Sequence, residues 1–98
     1  MKVYKKPFAF DWDNGNKDKN FIKHRVTDEE CEEVFFDPKK KVVNDIFHSD
    51  KEERSIILGK TKLGRCLFLV FTTRGNKIRI ISARDINQKE RFLYEEKN

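Results

Sequence analysis

The residues best suited to chemistry lie in one stretch, residues 77–84, with the sequence Lys-Ile-Arg-Ile-Ile-Ser-Ala-Arg. Read as a strand, it turns Ile78, Ile80 and Ser82 to one face and Lys77, Arg79, Ile81 and Ala83 to the other. If helices cover the Ile78/Ile80 side, Arg79 emerges on the open side and Arg84 closes the strand. Arg91 follows on the next element, and Arg54 begins a neighbouring strand. A guanidinium presents a planar fork of donors that matches phosphate oxygens. Taken singly, each arginine has a plainer reading as a surface salt bridge to Glu52, Glu53 or Glu90. Grouped around one sheet, they predict a surface that meets an anion.

Proton transfer needs a group that titrates near neutrality. His24 closes the run Ile22-Lys23-His24-Arg25 and suits a general acid or base. It equally suits the carboxyl end of a helix, where a cation favours the dipole. Both readings stay open. His48, in a polar loop, is read as solvated. Cys31 and Cys66 form no CxxC pair and are expected to be buried, reduced thiols, as in a reducing cytosol. No HExxH, paired-aspartate, Walker or GxGxxG pattern is present, so no metal and no cofactor is expected. One reaction suits such a chain: RNA cleavage through the substrate's own 2′-hydroxyl. The RNA brings the nucleophile, and the protein positions the phosphate, stabilises its charge and moves protons. Trp12 could stack on a base, but a lone tryptophan in a small protein is read first as core.

Composition agrees with an anionic partner. The chain has 98 residues, enough for one domain, with 40% charged residues and a net charge of +5. Acidic and basic residues balance in residues 1–49, so the whole excess falls in residues 50–98. No apolar run approaches membrane-spanning length. The N-terminus has no apolar signal-peptide core, so the expected location is cytoplasmic.

These side chains must be held by a small set of elements. Alternation at Phe8, Phe10 and Trp12 predicts a short first strand. The segment Asp13-Asn14-Gly15-Asn16 offers a turn and a helix N-cap. A helix is expected over residues 17–24, with Phe21 as its apolar contact. Thr27 and Glu30 form a capping box for a second helix, which buries Cys31, Val34 and Phe35 and stops at Asp37-Pro38. Strands are expected over residues 41–46, 54–59, 66–72 and 77–83, the third of them central. Gly64 and Gly75 mark the hairpin turns between the last three. A final helix covers residues 86–95, with Ile86, Phe92 and Leu93 as contacts. The fold class is therefore α+β: an antiparallel sheet of four to five strands, two N-terminal helices and one C-terminal helix, packed on a face.

Strung together, the residues resemble a known family. Phe10-Asp11-Trp12-Asp13, Asn16-Lys17, Asn20 and Lys23-His24 look like the opening of the BrnT toxins. Val34-Phe35-Phe36-Asp37-Pro38, Glu53-Arg54, Ile56-Ile57-Leu58-Gly59, residues 78–84 and Glu90-Arg91 continue the likeness to about residue 95. The resemblance implies a RelE-like fold and a bacterial type II toxin–antitoxin system. It implies an RNase that halts translation and a BrnA-type ribbon-helix-helix antitoxin, the complex of the two binding its own promoter DNA. Read with the residues above, it assigns catalytic roles to Arg79 and Arg84, which hold the phosphate, to Arg54, which assists, and to either His24 or Glu53 for the proton; Lys23, Arg79, Arg84, Arg91 and Tyr94 are expected to contact RNA. The reading that competes with it is a non-catalytic basic module for nucleic acid or an acidic partner protein. One position departs from the family: a glycine usually follows the Lys-His pair, and here it is Arg25. An arginine pays a penalty for positive φ, which predicts a different turn there.

Overall fold

The computed structural model describes residues 9–44 and 53–96. The order of elements is α1 (Lys19–His24), α2 (Asp28–Val34), β1 (Lys41–Asn44), β2 (Ser55–Lys60), β3 (Cys66–Arg74), β4 (Lys77–Asp85) and α3 (Gln88–Glu95). The four strands form one antiparallel meander in the order β1-β2-β3-β4. β3 is interior, as its apolar run predicts. Gly64 and Gly75 both take positive φ, as the hairpins require. The α+β class and the antiparallel sheet therefore hold. The expected strand over residues 41–46 is seen as far as Asn44, and its last two residues, like Phe8 and His48, lie outside the described ones.

The core explains the arrangement. Cys31, Val34 and Phe35 of the α2 region are all buried against Ile57, Leu69, Phe71 and Ile80. Phe35 sits between Phe10 and Phe71 in edge-to-face contacts, with centroids 5.5 and 5.1 Å away. The predicted capping box at Thr27 and Glu30 is complete. Gly59 lets β2 approach α2, since a Cβ there would stand 2.7 Å from the Val34 side chain.

Several expectations need correction. The helices do not share one face. α2 belongs to the inner face of the sheet and α1 lies along β4, where its buried Asn20 accepts from the Ala83 N–H, whereas α3 packs on the outer face through Tyr94, against Leu58 and Cys66. Tyr94 replaces Phe92 and Leu93 as the contact of α3; those two are exposed. A second capping box, Asn87 with Glu90, starts this helix. Phe21 does not anchor α1 either: it is exposed beneath the Arg25 guanidinium, and Asn20 is the buried residue. The first strand reduces to one parallel bridge between Phe10 and Ile78. The helix expected from residue 17 begins at Lys19, after Asp18 in a left-handed conformation whose N–H donates to the Asp28 carboxylate.

Arg25 keeps the turn that a glycine would make. Its φ is 58°, and its N–H and that of Val26 donate to the carbonyls of Phe21 and Asn20. The expected change of turn is absent. The carbonyls of His24 and Arg25 both accept from the Arg65 guanidinium, at 3.1 and 2.7 Å, which secures the helix end.

Candidate RNA-binding face

The decisive feature of β4 is a bulge. Phe71 pairs with Ile80 but Val70 pairs with Ser82, so Ile81 is the extra residue. Strict alternation fails there. Ala83 pairs with Leu69 and is buried in the inner core, while Ser82 is exposed. This reverses the expected faces of Ser82 and Ala83. It also moves Arg84, which pairs with Phe68, to the same outer face as Arg79, which pairs with Thr72. Without the bulge, the odd spacing of residues 79 and 84 would put them on opposite faces. Four β3 residues separate the two levels, roughly 13 Å at about 3.3 Å per residue.

Two asparagines secure the outer edge of β4 on either side of the bulge. The Asn16 amide donates to the Ile80 carbonyl at 3.1 Å and to the Asp11 carbonyl at 2.9 Å. Asn20 Oδ1 accepts from the Ala83 N–H at 2.9 Å. Further along, the Ala9 carbonyl and the Asp11 N–H bond both sides of Ile78. The edge that would otherwise leave backbone groups unpaired is thus covered by the N-terminal segment.

Arg79 and Arg84 each meet a carboxylate. Arg79 makes a two-pronged contact with Asp13, both bonds at 3.0 Å, and lies 3.6 Å from Asp11. The Arg79 hydrogen bond, aided by the Gly15 N–H, holds the Asp13 carboxyl below its usual range. Arg84 makes a two-pronged contact with Glu90, both bonds at 2.8 Å, and its guanidinium lies 4.0 Å from the centre of the Phe68 ring. Burial pushes the Glu90 carboxyl up, but Arg84 and the Asn87 N–H outweigh it and leave it low. The Arg84 side chain is 37% exposed and Arg79 only 13%, so Arg84 is the more accessible cation.

The remaining candidates fall at two ends of the face. The Glu53 carbonyl accepts from Thr72 Oγ1 at 2.7 Å, so Glu53 and Arg54 lie beside the Arg79 level. Arg54 is half-buried and Glu53 exposed. His24 and Lys23 are exposed at the end of α1, near the Asp85 carboxyl, which the Arg65 guanidinium holds low. Arg91 reaches the Cys66 sulfur at 3.7 Å. Tyr94 is buried, and its hydroxyl donates to Asp37 at 2.5 Å; burial first, and then this bond, push the phenol up. The fold therefore brings His24, Lys23, Arg84 and Arg91 toward one end and Glu53, Arg54 and Arg79 toward the other. It does not gather all of them at one point.

Trp12 packs against the core and donates to Glu32 at 2.7 Å. Both cysteines are buried and free, and burial pushes the Cys31 thiol up to about 12. Arg65 was not among the residues singled out from sequence. It bonds Asp85, Glu30 and the end of α1; its place between a hairpin glycine and a strand gave no sign of this. Among the described residues, no three His, Cys, Asp or Glu side chains cluster as metal ligands.

The family pattern described as a ribonuclease toxin, BrnT, of type II toxin–antitoxin systems matches residues 12–90. The chain belongs to this family. Membership makes it a toxin of the ribonuclease class and implies RNA as target and an antitoxin as partner. No curated protein matches the chain. In the toxin, the matched region contains the bulge, both asparagines, both paired arginines and Arg65, and it stops at Glu90, the partner of Arg84. Among the described residues, no helix is long and apolar enough to cross a membrane.

Proposed function

We propose that the toxin is a metal-independent endoribonuclease that acts in the cytoplasm, cuts RNA through its own 2′-hydroxyl and halts translation. A BrnA-type ribbon-helix-helix antitoxin neutralises it, and the complex binds its promoter DNA. A RelE-like fold is supported by the antiparallel meander with two helices before it and one after. The observation that carries the enzymatic reading is the bulge, which puts Arg79 and Arg84 on one face.

In this reaction the 2′-oxygen loses its proton and attacks phosphorus. The 5′-oxygen leaves with a proton, and a 2′,3′-cyclic phosphate remains. Arg84 is the guanidinium for the scissile phosphate because it is the more exposed and rests on Phe68. An entering phosphate replaces Glu90 as its partner. His24, at the same end, carries a proton, with Lys23 beside it. Arg79 and Arg54 hold the strand at the other end, with Glu53 beside them as the alternative proton carrier, and Arg91 flanks Arg84. Tyr94 serves packing in this reading, because its hydroxyl is engaged by Asp37.

A second reading is favoured by one observation: both arginines already have carboxylate partners. On that reading the face binds nucleic acid or an acidic partner protein and cuts nothing. The discriminating experiment uses purified toxin on RNA in the presence of EDTA. Cleavage to cyclic-phosphate ends, reduced roughly 10²–10³-fold by Arg84→Ala, is expected. Cleavage that needs added metal, or that survives both Arg84→Ala and Arg79→Ala, overturns the mechanism. Tight RNA binding without cleavage supports the module.

A further inference from the structure

Arg79 and Arg84 are paired with carboxylates, but a group of lysines elsewhere is not. A cleft of about 610 Å³ opens where the α2–β1 connection, the end of β2 and the end of α3 meet. Its walls carry Lys39, Lys40, Lys41 and Lys60, with Tyr94 and Pro38. Glu95 and Glu96 are the acidic residues lining it. Among the described residues no carboxylate forms an ion pair with any of these four lysines; the Lys41 ammonium donates to the Glu96 backbone carbonyl.

The cleft is held together by one side chain. The Asp37 carboxylate accepts from the N–H of Lys39 at 2.9 Å, the N–H of Lys60 at 2.8 Å and the Tyr94 hydroxyl at 2.5 Å. Burial pushes this carboxyl up, but the three donors and the Lys60 charge hold it low. Three separate segments are thereby tied side by side, with their lysines on one wall. Asp37 spends its acceptors inside the scaffold, and the Lys60 ammonium lies 5.9 Å from the centre of the Tyr94 ring at the cleft wall.

The cleft also connects to the proposed site. Lys41, Leu58, Phe68 and Arg84 form one row across all four strands on the outer face, and α3 lies over that row. Along the flank of α3, Arg91 meets Cys66, and Cys66 pairs with Lys60, which lines the cleft. The cations therefore form a band from Arg84 past Arg91 and Lys60 to Lys39–Lys41.

We propose that this lysine-walled cleft is a second phosphate site for the same RNA, gripping the backbone of a single strand beyond the cleavage point. The inference rests on reading the chain as an RNA-directed toxin. Lysines are point charges on flexible stems, suited to phosphates of any sequence. The cleft adds affinity for long RNA and leaves the chemistry at Arg84 untouched.

The test compares the toxin with its triple variant Lys39→Gln, Lys40→Gln, Lys60→Gln. Binding of a long 2′-O-methylated single-stranded RNA is followed by fluorescence anisotropy across a salt series. Such RNA cannot be cut, so the measurement is independent of catalysis. The triple variant should bind roughly tenfold more weakly near physiological salt. Its slope of log affinity against log salt should be shallower by about 2, at about 0.7 per lost contact. Cleavage of a short oligonucleotide should match the parent. Unchanged affinity and slope for long RNA overturn the proposal, as does loss confined to poly-glutamate, which would assign the cleft to an acidic polypeptide. Absence of cleavage in the parent, with the slope effect intact, would remove the enzymatic reading and leave the cleft standing. Urea midpoints of parent and variant should agree, since Lys39 and Lys60 are exposed and Lys40 is half-buried.

Discussion

Arg65 bonds the Asp85 carboxylate at 2.7 and 3.1 Å, and the same guanidinium closes the carboxyl end of α1. A third contact reaches Glu30, the capping residue of α2, at 3.3 Å. One side chain from the β2–β3 turn thus ties the end of β4 to both N-terminal helices. It fixes the neighbourhood of His24 and Arg84 without touching substrate.

Arg65→Met is expected to cost about 1–3 kcal/mol, a range set by partly exposed charge-assisted bonds and measured by urea denaturation. The pH dependence has a definite sign. Arg65 lowers the Asp85 carboxyl, so its contribution is complete above the ordinary carboxylate range and is lost as pH falls through the depressed value. The parent should lose stability below about pH 4, and Arg65→Met should show a flatter loss there. Equal acid transitions in both proteins would contradict this role.

Asn20→Leu removes the acceptor for the Ala83 N–H beside the bulge. The expected loss is about 1–3 kcal/mol, because a backbone donor is left buried and unpaired. Hydrogen exchange at Ala83 should accelerate by a comparable factor. Cleavage should fall as well, since the bulge is what holds Arg84 on the outer face.

Asp13→Asn should release Arg79. The Asp13 carboxylate is its main partner, and Gly15 permits the approach: a Cβ there would lie 2.8 Å from Arg79 Nη2. A freed guanidinium should raise RNA affinity roughly severalfold at low salt, with the gain lost at high salt. Gly15→Ala should act in the same direction by crowding the pair. Weaker RNA binding in both variants would show that the pair itself is needed.

Tyr94→Phe keeps the ring against Leu58 and Cys66 but deletes the bond to Asp37. A loss of about 1 kcal/mol in urea denaturation is expected, with cleavage of a short RNA unchanged. A large fall in cleavage with stability intact would restore Tyr94 to the RNA-contacting set.

Much was legible because it depends on near neighbours. The Thr27/Glu30 box, the Cys31/Val34/Phe35 stripe, the hairpin glycines and the apolar β3 follow from local spacing, and the structure retains them. The likeness to BrnT toxins rested on residue identities alone, and the family match agrees. Other features depended on contacts remote in sequence. The bulge at Ile81 exists because Asn16 and Asn20, more than sixty residues away, satisfy the edge of β4. Alternation has no means of registering an extra residue, so it put Ser82 and Ala83 on the wrong faces. The left-handed Arg25 is secured by Arg65, forty residues on. The sequence by itself determined which cations and folding elements this protein has, since those are matters of residue type and short-range period. Only the tertiary structure decided which face each cation takes and which carboxylate it meets, because long-range hydrogen bonds set the register.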